Sequence, residues 1–207
     1  MLFRSALHGL LHAPQGRVLA IRLPNGQLTQ ACGQRMFDFD APSGERKAAC
    51  KVLGLRSPQD WFALGIEAEH EHRLHDAIAA YQRALPQVGA PAWFNLGNCR
   101  AELGDAVGAI DAFQQALRTD PCYSEAWNNL GIAQGSLHRL TDAMQSFRRA
   151  LELAPHYADA HYNLADALAT AGEIESARKH WRAYLAYDPN SRWADDVRRR
   201  LRDGDAG

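Results

Sequence analysis

Residues Trp93–Asn98 read W-F-N-L-G-N, and the chain repeats that phrase with small changes. Trp61 opens W-F-A-L-G-I, Trp127 opens W-N-N-L-G-I and His161 opens H-Y-N-L-A-D. Successive openings lie 32, 34 and 34 residues apart. A fixed period of this size marks a stack of two-helix units, because one unit alone cannot bury its apolar face. The positions downstream obey the same period. Sixteen residues after each opening stands Ala77, Ala109, Ala143 or Ala177, and four further on Tyr81, Phe113, Phe147 or Trp181. Three more give Ala84, Ala116 and Ala150, with Tyr184 departing from the series, and Pro121, Pro155 and Pro189 close three of the copies.

This pattern resembles the tetratricopeptide repeat, W-x2-L-G-x2-Y…A-x3-F-x2-A…P. Four copies cover about residues 58–189 (58–89, 90–123, 124–157 and 158–189). Arg100, Gln134 and Leu168 replace the tyrosine of that pattern, and Ala165 replaces a glycine. The resemblance implies an all-α solenoid of helix-turn-helix repeats whose concave groove binds protein segments.

Periodicity supports the same helices without the family. With the Trp labelled position 4, positions 4, 7, 8 and 11 fall on one helical face. Glycine or alanine there permits close approach of two backbones, and the aromatic of the second helix fills the neighbouring space. Core packing is the expected role of Trp61, Trp93 and Trp127. Ser57-Pro58 with Asp60 reads as a helix start, and Gly104 and Gly172 fall in the turns between paired helices. Trp193 stands in register after His161. Trp193, Val197 and Leu201 recur every four residues amid Asp and Arg, which predicts a solvating cap helix over 190–207 rather than a nucleic-acid helix.

Positions 2, 6, 9 and 13 lie opposite the core face, and here they are polar. Position 6 is Asn95, Asn129 and Asn163, position 9 includes Asn98 and Asp166, and Asn128 and Tyr162 stand at the shoulder, position 5. In a parallel array the position-6 residues form an evenly spaced row. A carboxamide donates and accepts, so a row of them matches the backbone of an extended peptide irrespective of its side chains. The repeats of O-linked N-acetylglucosamine transferase are similar here, carrying an asparagine ladder at this position that grips substrate backbone. That similarity reaches Asn95, Asn129 and Asn163, whereas repeat one has Ala63. The expected groove set is Asn95, Asn98, Asn128, Asn129, Tyr162, Asn163 and Asp166, and replacing the three position-6 asparagines is expected to weaken capture with little change in melting temperature. Glu69, Glu102, Glu125, Asp159 and Asp166 fall near the groove and favour a neutral or basic segment. No cation stands where related repeats clamp a terminal carboxylate. Arg83, Arg118, Arg148, Arg149, Arg178 and Arg182 fall on the second helices, where solvation is the expected role.

The 207 residues carry a net charge of −1, which provides no field for nucleic acid or anionic lipid. No run of 18 apolar residues occurs, and Arg4, His8 and His12 interrupt the start, so neither a membrane span nor a signal peptide is expected. Cys32, Cys50, Cys99 and Cys122 lack metal spacing, which predicts reduced, buried thiols in a cytoplasmic protein. His8 and His12, and His70, His72 and His75, lack completing ligands, so no metal or other cofactor is expected. Nucleophile-elbow, phosphate-loop and zinc-protease motifs are absent, so no catalytic activity is expected.

Ahead of the repeats, Asn25-Gly26 lies between two apolar-rich runs and predicts a β-hairpin. Arg35–Asp40 alternates as a third strand would, and Ser43–Leu53 reads as a short helix. The hairpin, the phrase G-Q-R-M-F-D-F-D and the stretch His180–Ala194 together look like the C-terminal part of bacterial proteins that join a MerR-type helix-turn-helix to these repeats. That resemblance implies, as an alternative, the partner-binding half of a transcriptional regulator. The primary expectation is a non-catalytic module that binds an extended protein or peptide segment.

Overall fold

The computed structural model describes residues 56–203 and the backbone of three short strands, β1 (Leu11–His12), β2 (Leu19–Arg22) and β3 (Leu28–Gln30). The strands form one antiparallel sheet in chain order, with Arg22 opposite Leu28; the expected Asn25-Gly26 turn lies outside the described residues. The expected strand at Arg35–Asp40, the expected helix at Ser43–Leu53, and Cys32 and Cys50 lie outside the described residues.

Nine helices follow among the described residues: α1 (Pro58–His70), α2 (Leu74–Val88), α3 (Ala90–Glu102), α4 (Ala106–Thr119), α5 (Ser124–Ser136), α6 (Leu140–Leu153), α7 (Ala158–Thr170), α8 (Ile174–Tyr187) and α9 (Ala194–Asp203). The chain divides into two compact units, residues 1–88 and 89–207. The first contains the pair α1–α2. The second stacks α3–α4, α5–α6 and α7–α8 and adds α9.

Each pair closes the same way. A carbon placed on Gly97 would come within 2.6 Å of the Phe113 ring, and the same conflict arises between Gly65 and Tyr81 and between Gly131 and Phe147. Glycine is therefore required where Tyr81, Phe113 and Phe147 meet the first helices of their pairs. Repeat four has Ala165 and Trp181 instead, both buried. Tyr184, where other copies carry alanine, is 1% exposed, packs on Tyr162 and shares a hydrogen bond with the Ser191 hydroxyl. The departure thus fills space beside the cap.

The turns within pairs share one geometry. Gly104 and Gly172 have φ of +80° and +82°, and His138 occupies the equivalent place at +58°. In the first unit His72 does the same at +54°. At each site the positive-φ N–H and the next one bond back to helix carbonyls, as in His138 to Gly135 (2.9 Å) and Arg139 to Gln134 (3.0 Å). These paired bonds satisfy the carbonyls that a helix end leaves open. At the other end of the pairs, α4, α6 and α8 each stop two residues before Pro121, Pro155 and Pro189. Ser57 and Asp60 form the expected reciprocal cap on α1, at 3.1 and 2.8 Å.

Several side chains depart from their expected settings. Arg178 is 4% exposed rather than solvated on an outer wall. Trp193 is 45% exposed, so α9 packs through Ala194 and Val197 instead. Cys99 is buried as expected, but Cys122 is exposed. Trp93 and Trp127 are half-buried against the core of α4 and α5, and Trp61 lies under the guanidinium groups of Arg56 and Arg83.

Candidate functional site: a carboxamide row on the first helices

The first helices of the second unit, α3, α5 and α7, are spatial neighbours, because each stacked pair sets its first helix beside the previous one. This adjacency brings four of the expected asparagines into one hydrogen-bonded chain. Asn163 Nδ2 donates to Asn128 Oδ1 at 2.9 Å. Asn128 Nδ2 donates to Asn129 Oδ1 at 3.2 Å. Asn129 Nδ2 donates to Asn98 Oδ1 at 2.9 Å. The chain joins all three repeats of the unit, and every bond runs in the same sense.

The row is thus both structural and accessible. Asn128 is 2% exposed and sits inside the chain, whereas Asn98, Asn129 and Asn163 are half-buried at its surface. A carboxamide carries two N–H bonds, and each surface member spends at most one on a neighbour. The second N–H of each surface member and the Asn163 oxygen take no part in the chain. Asn95 is half-buried and lies on α3, the same helix as Asn98. The carboxamide chain was missed in the sequence, because period arithmetic locates a residue on its own helix and not its contact with the next one.

Tyr162 and Asp166 form a different setting at the end of the row. Asp166 Oδ1 accepts from Arg200 Nη1 at 2.6 Å and from Trp181 Nε1 at 3.2 Å. Arg200 reaches back from α9 and also contacts Asp196 at 2.7 Å. Asp166 is therefore locally neutralised, whereas the expected set left it as an open acid. Tyr162 packs between the tilted rings of Tyr184 and Trp193, at 5.4 and 6.0 Å. Burial first, and then the Asp166 charge, raises its phenol pKa. Near Asn128, burial and the charges of Asp159 and Glu125 push Tyr157 up to about 12, so its hydroxyl stays protonated. Of the other acids expected near the groove, Glu125 accepts from Ser124 Oγ at 2.9 Å, and Glu69, in the first unit, accepts from Tyr81 Oη at 2.6 Å.

A histidine pair lies elsewhere in repeat four. Trp127 Nε1 donates to Pro121 O at 3.0 Å, and one repeat later His161 Nε2 lies 3.0 Å from Pro155 O. A carbonyl only accepts, so His161 carries its proton on Nε2. His161 Nδ1 lies 2.9 Å from His180 Nδ1, so in the neutral pair His180 donates. Burial first, then the charges of His161 and Arg148, lower the His180 pKa.

No group of three or more metal-ligating side chains occurs among the described residues, and no described helix is long and apolar enough to cross a membrane. Three tetratricopeptide repeat family models match the chain, at residues 62–124, 112–145 and 132–200. Together they run from 62 to 200, and the chain belongs to the tetratricopeptide repeat proteins. Among curated proteins, tetratricopeptide repeat protein 8 of Caenorhabditis elegans is 29% identical over 77 residues, which is 35% of this chain and 15% of that protein. Among solved structures, MamA aligns with a TM-score of 0.63 at 21% identity, over 69% of this chain and 84% of its own. YrrB, a tetratricopeptide repeat protein with an unusual peptide-binding site, aligns at 0.61 and 19% identity, over 69% and 74%. The first repeat domain of Spaghetti (RPAP3), bound to the HSP90 peptide SRMEEVD, aligns at 0.55 and 23% identity, over 57% and 96%. These likenesses establish the shared fold.

Proposed function

We propose that this chain is a protein-interaction module that takes an extended peptide segment along the face of α3, α5 and α7. The observation that carries the reading is the one-way carboxamide chain from Asn163 to Asn98, with spare N–H groups on its surface members. These donors suit the carbonyls of an extended backbone, so affinity comes from the main chain and selectivity from flanking contacts. Asn95 extends the row, and Tyr162 and Asp166 border its far end. Glu125 and Asp159 favour a neutral or basic segment. Two of the similar structures, YrrB and the peptide-bound Spaghetti domain, are of repeat proteins that bind peptides, in keeping with this use of the fold.

The test selects binders from a displayed library of random twelve-residue peptides against the full chain. Selected peptides are expected to lose affinity when backbone amides are N-methylated or replaced by esters, more than when side chains are changed to alanine. Asn95→Ala and Asn98→Ala, which leave the Asn163–Asn128 bond intact, are expected to weaken binding several-fold. Selected peptides indifferent to both variants and to backbone chemistry would overturn the assignment.

A further inference from the structure

A cleft of about 640 Å³ opens on another part of the second unit, between α4 and α6 with α5 as its floor. Trp127, Leu130 and Gln134 of α5 line its base. Gln134 lines the cleft at the position where the repeat pattern places tyrosine, with a narrower side chain than a phenol ring. The other copies fill that position differently. Ala68 and Leu168 are buried, and Arg100 donates to Gly108 O at 2.9 Å. Gln134 is 6% exposed and its Oε1 accepts from the buried Ser146 hydroxyl at 2.7 Å. That bond fixes the carboxamide so that its Nε2, which meets no acceptor among the described residues, serves the cleft.

The walls are cationic. Arg118, Arg139 and Arg149 line the cleft against one carboxylate, Asp142. Arg139 pairs with Asp142 at 2.6 Å, and Arg149 pairs with Glu152 at 2.7 Å. Arg118 has no carboxylate partner among the described residues. Both existing pairs are about half exposed and contribute little stability, so either arginine can exchange its partner for an incoming carboxylate. A buried amide donor at the base, an unpaired guanidinium on the wall and two exchangeable ones form a site for anions. The apolar surface of Trp127 and Leu130 suits the carbons of a side chain rather than a small inorganic ion.

We propose that this cleft docks an acidic peptide segment, with one carboxylate on Arg118 and the Gln134 amide and further carboxylates on Arg139 and Arg149. It lies between second helices and is opposite in charge preference to the asparagine row, so it does not depend on that row's role. The probe is a fluorescein-labelled hexaglutamate peptide titrated into the full chain, read by anisotropy against hexalysine and hexaserine. Saturable binding of hexaglutamate alone is expected. Arg118→Glu, at an exposed position that leaves folding intact, is expected to weaken it at least about tenfold, the loss of one charge-assisted bond and more. Gln134→Tyr restores the ring and is expected to close the cleft, while Asn98→Ala leaves binding unchanged. Absence of saturable hexaglutamate binding, or equal affinity in Arg118→Glu, would overturn the proposal. Tighter, Arg118-dependent binding of a phosphoserine peptide or of oligouridine would reassign the cleft to those ligands and overturn it equally.

Discussion

Single residues carry three tests. His138 occupies a left-handed turn that Gly104 and Gly172 occupy without steric conflict. His138→Gly is expected to raise stability by about 0.5–1 kcal/mol, the left-handed penalty less the added freedom of the unfolded chain. A denaturant midpoint that falls would contradict this. Gly131→Ala drives a carbon into the Phe147 ring and is expected to cost about 1–3 kcal/mol in the same measurement. Asn163→Ala strips Asn128 Oδ1 of its donor inside the protein, at an expected cost of about 1–3 kcal/mol. The sequence led to the opposite expectation, that replacing the position-6 asparagines would hardly move the melting temperature. The fixed period placed Asn129 and Asn163 on equivalent faces; that the linkage runs through Asn98 rather than Asn95, and through an inward-turned Asn128 bonded from both sides, was not legible, because shoulder positions point either way.

Among the elements, repeat four holds the paired imidazoles of His161 and His180. The His180 pKa is lowered in the fold, so the unfolded chain binds the proton more readily. The resulting stability is complete above the ordinary histidine range near pH 6.5 and is lost as pH falls through the lower folded value. A single proton can be shared across the Nδ1–Nδ1 contact, but a second leaves two donors facing each other. Urea midpoints from pH 8 to pH 5 are expected to decline, and His180→Gln is expected to flatten the decline; an unchanged slope would refute the pair's part in it. The cap offers a parallel test. Val197 is fully buried, so Val197→Ala is expected to cost about 1–3 kcal/mol and to speed amide exchange in α8. The cap helix was readable from its four-residue rhythm. Its seating was not, because Trp193 shares that rhythm yet lies before the helix, with Arg192 over its ring.

For the whole molecule, helix pairing was plain in the spacing of Gly65, Gly97 and Gly131 against Tyr81, Phe113 and Phe147, since each glycine meets one ring. The cleft at Gln134 left no distinct mark in the sequence, since every copy lacks the tyrosine, and its arginines come from α4, α6 and the turn before α6. The asparagine linkages carry one more consequence. Asn129 of one brick engages Asn98 of the brick before it, a ninth-place residue, whereas Asn163 engages Asn128, a fifth-place residue. The joints are keyed differently although the bricks look alike. A gene in which the segments 90–123 and 124–157 trade places would keep every ring-on-glycine fit and mismatch the keys, so the native sequence of modules is written in amides while their shape is written in carbon.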